Sequence, residues 1–366
     1  MPPPIHGTSV VNRSIKESKK INDTFDIDYL PLHFSKKIDR LRKFGLLKHF
    51  KVFMYSYLIF FKLLVNKYDL VYFTLTPVGN AFYRDILFVS IMKLFCVKRV
   101  YHLHGKGVET FSNVGINNYL YKYVFSNAKI ILLSERLYQD IRKYAEKEKC
   151  FFLANGINVE RRNRPIVAYN KDESRSIKLL YLSTLYEQKG IIDFLAAINV
   201  LKWDCGLKVK ASVAGEFGPG FTQDEFWSIV KQYRIESEIT YFGGVYGSDK
   251  QELYETSDIF VFPSHNECFP IVILEAMGYG LPVIATYDGA IPEIIENGTN
   301  GFLVEKYNPN EIANKIRDLT SDPMCRVGMS RANIIKFQER YTFESFENNF
   351  INIMRLSLND FNPEFR

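Results

Sequence analysis

The sequence predicts an α/β protein of two domains, each built on a parallel sheet. Three observations predict it. The chain has 366 residues, about two domains' worth, and each half is long enough to bury its own core. Short apolar runs alternate with amphipathic helical stretches, the pattern of strands joined by crossover helices. The pattern stops at a polar stretch, residues 158–176, and then begins again.

In the first half, strands are expected at residues 69–75, 99–103 and 129–133, with helices at 84–95, 117–125 and 135–146. Asn155-Gly156 reads as a turn. The second half restarts with strands at 177–182, 208–214, 239–242, 259–261 and 282–285. Helices are expected at 191–201, 224–233, 249–256 and 272–278, and a last helix at 343–358. The expected division is residues 1–165, residues 166–342 and a closing helix in 343–366. A doubly wound domain usually opens with a buried strand and a glycine-containing turn. Here the turn-like segment from Pro2 to Ser9 comes at once. Either the true start lies upstream or the first domain lacks its first strand.

Composition is ordinary for a globular protein, with 47% hydrophobic and 24% charged residues. The five cysteines lie far apart with no C-x-x-C pair, which argues against a disulfide framework or structural zinc and for a reducing cytoplasm. Neither a signal peptide nor a spanning helix is expected; the best apolar run, residues 52–61, is closed by Lys62. Charge is uneven. Residues 1–165 hold 28 Lys+Arg against 13 Asp+Glu, a net of +15, whereas residues 166–366 hold 19 against 28, a net of −9. The first half is expected to face something anionic.

The stretch from Phe260 to Gly278 carries the chemistry. An apolar strand ends at Pro263, a polar loop bearing Glu267 follows, and a helix then carries Glu275. Ligands of open α/β sheets bind off the carboxyl ends of strands, where Glu267 stands. The helix start offers unpaired N–H groups and partial positive charge, a site for a diphosphate. Glu275, about two turns in, points back to accept hydrogen bonds from a diol such as ribose. Two carboxylates, a helix start and a loop suit a nucleotide-sugar. Lys189, after the strand at 177–182, stands ready to neutralise phosphate charge. The glycines of Ala214-Gly215-Glu216 and Phe242-Gly243-Gly244-Val245 let backbone approach a flat base.

Taken together, these residues resemble glycosyltransferase family 4, retaining enzymes of the GT-B fold with two Rossmann-like doubly wound domains facing a central cleft. The likeness rests on Glu267-x7-Glu275, Ala276-Met277, the run Gly280 to Thr286, Gly289 to Glu293 and Asn297 to Val304. It implies that Glu267 lies against the donor sugar, that Glu275 binds ribose, and that Phe269, Pro270 and Ile271 line sugar and diphosphate. Gly215, Gly244 and Val245 join the donor site, and Lys189 matches the family's phosphate-binding lysine. Ser183-Thr184 stands where the family often has glycine and arginine, so the diphosphate has one cation fewer unless another residue supplies it. Cys268 replaces a common glycine. In the first half, His104 resembles the active-site histidine and Gly7-Thr8-Ser9 the glycine loop near the donor. Arg84 and Asp85 are placed to meet the acceptor, and the last helix is expected to cross back onto the first domain.

The resemblance implies transfer with retention of anomeric configuration and no cofactor or metal. Asp26-Ile27-Asp28 mimics a metal-binding D-x-D but reads as a strand or turn surface. Residues 36–67 hold nine Lys/Arg and one acid, Asp39, with apolar Ile38, Leu41, Phe44, Leu47, Phe50, Met54, Tyr57, Leu58 and Phe61 at helical spacing. This pattern suits an anionic membrane surface. The expected partners are a nucleotide-sugar, UDP-linked rather than GDP-mannose, and a lipid-linked sugar acceptor in O-antigen, capsule or exopolysaccharide assembly. Nucleic acid is not among them. The expected location is cytoplasmic, peripheral at the inner face of the cytoplasmic membrane. The rivals are a GT-B epimerase and a catalytically degenerate membrane adaptor.

Overall fold

A computed structural model describes residues 7–34, 46–160 and 176–359. The chain divides into two compact units. One comprises residues 1–156 and 343–366, the other residues 157–342. The boundary thus falls at Gly156, ahead of the polar stretch expected to be the linker, most of which (161–175) lies outside the described residues. Ile157 already belongs to the second unit, where it bridges Thr342.

Among the described residues the first unit holds four parallel strands in the order β1 (Val71–Leu75), β2 (Arg99–Leu103), β3 (Lys129–Leu132) and β4 (Cys150–Phe152). The order runs one way from β1, and no strand precedes β1 among the described residues. Gly7–Glu17 is instead a helix, so Gly7 opens a helix rather than closing a strand–turn. Its residues Val11 and Ile15 are buried, and Asn12 accepts a hydrogen bond from Thr74 of β1 at 3.0 Å. The helix expected at 135–146 is only a 3₁₀ turn, Glu135–Leu137, and one α turn, Tyr138–Ile141. Ser134 caps the turn through Arg136 N–H, and Asp140 is drawn off to bind another loop. The closing helix Phe343–Asn359 packs on this unit. Phe346, Phe350, Ile353 and Met354 are buried, Phe350 meets Tyr72 edge-on at 5.3 Å, and Lys98 donates to Leu358 O at 2.9 Å.

Helix Leu46–Val65 follows the basic segment, whose residues 35–45 lie outside the described ones, Ile38, Leu41 and Phe44 among them. Tyr55 and Ile59 turn inward with Val52, Met54, Leu58 and Leu63. The outer stripe is apolar as well: Phe50, Phe53, Tyr57, Phe60, Phe61 and Leu64 are all exposed. Residues spaced three and four apart on the outside are as apolar as those inside.

Among the described residues the second unit holds six parallel strands: β5 (Ile177–Leu182), β6 (Val209–Ala214), β7 (Ile239–Tyr241), β8 (Ile259–Phe262), β9 (Val283–Thr286) and β10 (Gly301–Val304). Their order is β10-β9-β8-β5-β6-β7, doubly wound, with the reversal between β5 and β8. Strands β8 and β9 are buried throughout, as central strands covered on both faces must be. Helix starts are fixed by their caps: Thr222 with Glu225 in a capping box, Asn308 before Pro309, and Asp322 before Pro323. A buried amide pair pins the motif after β9. Asn333 donates to Leu281 O and Asn300 O at 2.8 and 2.7 Å, and Asn300 donates back to Asn333 Oδ1 at 2.8 Å.

His102 in β2 is fully enclosed, with the Tyr72 hydroxyl 2.7 Å from Nδ1. Burial holds its ring well below the ordinary value of 6.5. The unfolded chain therefore takes up this proton at higher pH than the folded protein. The stability tied to His102 is complete above about pH 6.5 and is lost as pH falls from there toward the depressed folded value. Melting temperature is expected to drop between about pH 7.5 and 5.5, and His102→Gln to flatten that slope. Melting curves of equal slope for both proteins would refute this account.

Candidate active site

The site is built where the second sheet reverses direction. After β5 the chain makes a 3₁₀ turn, Glu187–Lys189, and after β8 it enters the loop at residues 263–267. These two segments are stitched together. His265 N–H and the Ser264 hydroxyl donate to Gln188 O at 2.9 and 3.2 Å. Gly190 (φ +74°) follows, and a Cβ there would lie 1.9 Å from Pro263 O, so only glycine allows this approach. Lys189 Nζ is thereby brought onto Glu267 Oε1, which also accepts from Ser264 Oγ at 3.2 Å. The pair is largely enclosed, with side chains 17% and 12% exposed.

Around this pair lies a shell that local sequence reasoning does not reveal. The Glu267 N–H donates to Asp288 Oδ2 at 2.5 Å, and Lys306 Nζ bonds Asp288 Oδ1 at 2.5 Å. His265 Nε2 lies 2.5 Å from Asp193 Oδ2, and its ring lies over Tyr307 at 3.8 Å. The visible signals were faint: Asp193 is an acid in the first turn of a helix, and Asp288 precedes the glycine of a motif. Lys306 thus brings a second ammonium group to the carboxylate that holds the Glu267 N–H.

The helix Ile271–Gly278 begins directly after Phe269-Pro270, with Phe269 and Pro270 both buried. Glu275 in this helix accepts from Lys250 Nζ at 2.6 Å and from the Tyr254 hydroxyl at 2.9 Å. The two glycine loops meet each other. Gly215 N–H donates to Gly243 O at 2.7 Å, and a Cβ on Gly215 (φ +144°) would lie 1.7 Å from Ser183 O. Gly244 approaches the Glu216 side chain, which also bonds the Tyr246 hydroxyl; burial, and then this carboxylate, raises that phenol above its usual range. Val245 beside them is half-buried. The structure thus gathers Lys189, Gly215, Gly244, Val245, Glu267, Phe269, Pro270, Ile271 and Glu275 in one unit, at the carboxyl ends of its strands.

The remaining sequence candidates belong to the other unit. His104 follows β2, is half-buried, and its ring lies 4.0 Å from that of His102. Its loop is held by Asp140, which accepts from the N–H groups of Gly107, Val108 and Glu109 at 2.8–3.0 Å. Asp85 is fully buried. Its oxygens are taken by Thr76 N–H at 2.9 Å and by Arg84, whose Nη2 lies 2.6 Å away and whose guanidinium stacks 4.3 Å from Phe34. Burial pushes Asp85 upward against the pull of Arg84. The pair buttresses the turn after β1. Asp28 of the D-x-D segment is engaged by Lys62 at 2.5 Å and Tyr68 at 2.6 Å. No group of metal-ligating side chains stands together among the described residues.

Two parallel-sheet units, one with an acidic strand–loop–helix at its reversal point, define the GT-B class of fold. The crystal structure of Anabaena HepE in complex with UDP matches with a TM-score of 0.67 at 21% identity, covering 83% of this chain and 82% of that one. The same protein is also solved with UDP-glucose. Residues 165–340, which lie within the second unit, match the family described as Glycosyl transferases group 1. An uncharacterized glycosyltransferase of Methanocaldococcus jannaschii is 25% identical over 251 residues, 65% of this chain and 62% of its own length. The O-antigen chain mannosyltransferase B of Escherichia coli is 27% identical over 181 residues, 48% of this chain and 45% of its own. The match spans less than two thirds of each of these relatives.

The stitching at Gly190 gives a direct test. Gly190→Ala forces a strained φ and a backbone clash, and is expected to destabilise the protein by roughly 3 kcal/mol. Thermal or urea unfolding measures it, and an unchanged midpoint would show that the two loops are not held as described.

Proposed function

We propose that the protein is a retaining glycosyltransferase of family 4 type, which moves a sugar from a nucleotide-sugar to a lipid-linked saccharide in surface-polysaccharide assembly. The observation that carries this reading is the Lys189–Glu267 pair beside the start of helix Ile271–Gly278, at the reversal of a doubly wound sheet. Such a place suits a diphosphate. As the sugar–phosphate bond loosens, negative charge grows on the leaving diphosphate. Lys189 and the helix N–H groups stabilise it, and Glu267 orients the sugar. Glu275 accepts hydrogen bonds from the ribose hydroxyls. Phe269, Pro270 and Ile271 line the sugar and diphosphate, and the Gly215 and Gly244–Val245 loops take the base. His104 acts at the transfer step. Protein cations carry the charge stabilisation, so turnover is expected to resist EDTA. A UDP-sugar is the favoured donor, in keeping with the ligands of HepE.

The reading is tested with purified protein, a panel of UDP-, GDP- and ADP-sugars and a membrane lipid extract. One nucleotide class is expected to raise the melting temperature and to be released during turnover in EDTA. Glu275→Ala should weaken binding about 10–100-fold, and Lys189→Ala should lower kcat about 100–1000-fold. His104→Ala should lower turnover while leaving nucleotide binding in place. Absence of binding to any nucleotide would refute the donor site and favour the adaptor.

The same reading includes work at the inner face of the cytoplasmic membrane, where a lipid-linked acceptor resides. No helix among the described residues is long and apolar enough to cross a membrane. The support is the outer stripe of helix Leu46–Val65, with Phe50 67% and Phe53 73% exposed, next to a strongly basic segment. Apolar side chains insert while lysines and arginines meet anionic headgroups. Binding to vesicles containing phosphatidylglycerol is expected to exceed binding to phosphatidylcholine vesicles. Replacing Phe53, Tyr57 and Phe61 by Ser should cut it about tenfold or more without changing nucleotide binding. Equal binding of variant and parent would refute it.

A further inference from the structure

Glu275 is not a free carboxylate. Helix Gly247–Thr256 presents Lys250 and Tyr254, four residues apart and so on one face, to the helix that carries it. Lys250 Nζ bonds Oε1 at 2.6 Å, and the Tyr254 hydroxyl donates to Oε2 at 2.9 Å. Tyr254 itself is fixed. It is buried, its ring stacks on Tyr279 at 5.2 Å with 4° between planes, and its hydroxyl also lies 3.3 Å from Val272 O in the neighbouring helix. The Lys250 and Glu275 side chains remain 26% and 20% exposed, so the carboxylate is held at the protein surface rather than sealed within it.

A carboxylate has about four lone-pair sites. One donor on each oxygen leaves one site per oxygen open, and locks the plane in which the two open sites lie. That arrangement matches two adjacent hydroxyls. Without Lys250 and Tyr254, three side-chain torsions of Glu275 would have to be frozen on ligand binding.

We propose that Lys250 and Tyr254 are positioning residues that aim Glu275 at the 2′- and 3′-hydroxyls of the donor's ribose, and so set the discrimination between ribo- and deoxyribonucleotides. The proposal rests on the donor-site reading above and extends it to two residues outside the acidic motif. Hydrogen bonds to a charged group are the stronger kind, so loss of a 2′-hydroxyl is expected to weaken binding about tenfold or more.

The test measures dissociation constants of UDP, 2′-deoxy-UDP, GDP and 2′-deoxy-GDP for the full chain. The parent is expected to favour the ribonucleotide of its own base about tenfold or more. In Lys250→Met and in Tyr254→Phe that ratio should fall to about threefold or less, while binding of the deoxynucleotide changes little. A purely structural role would weaken both nucleotides alike and leave the ratio intact, which overturns the proposal. Glu275→Gln separates the two readings. If it abolishes discrimination while the Lys250 and Tyr254 variants keep it, only the positioning role fails. If Glu275→Gln keeps the ratio, or the parent binds none of the four nucleotides and neither ADP nor 2′-deoxy-ADP, the ribose reading itself falls, and the positioning role with it.

Discussion

The close approach of two loops, one after β5 and one after β8, governs the carboxyl edge of the second unit's sheet. It depends on a bare backbone at Gly190, because any Cβ would collide with Pro263 O. Once the loops touch, Gln188 O takes donors from Ser264 and His265, and the turn delivers Lys189 to Glu267. Asp193, one turn further into the helix, then meets His265. A single steric permission thus converts two separate strand ends into one polar surface, at the place where the strand order reverses.

Three carboxylates of this surface each hold a lysine: Glu267 with Lys189, Glu275 with Lys250 and Asp288 with Lys306. Buried or half-buried charges persist only when paired. The pairs keep three ammonium groups in place with their charge already balanced. On the function proposed above, an arriving anion meets ordered cations without the surface having first had to carry an uncompensated positive field.

Legibility in the sequence followed contiguity. The strand–loop–helix from Phe260 to Gly278 was readable because its apolar run, its polar loop and both glutamates lie within one short segment, and β8 and the helix Ile271–Gly278 fall within a residue of their expected limits. The partners of those glutamates were not readable, since Lys250, Asp288 and Lys306 reach them only through the fold. Asp140 is a plainer case. Read along the chain it belonged to a helix at 135–146, whereas the fold spends it on three backbone N–H groups about 30 residues away. Short strands such as β4 and β10 gave too few residues for a period to show. In helix Leu46–Val65, apolar residues on every side left nothing to say which face turns inward.

The first unit is made from both ends of the chain, with the whole second unit inserted between Gly156 and Phe343. During synthesis the second unit has all of its residues before the first unit does. The first unit must wait for the Phe343–Asn359 helix to cover Tyr72 with Phe350 and to close over Ser18 with Glu347. Each nascent chain therefore spends the time needed to make the inserted unit with part of its first core uncovered. A stop codon just past residue 342 would strike the beginning of the protein rather than its end.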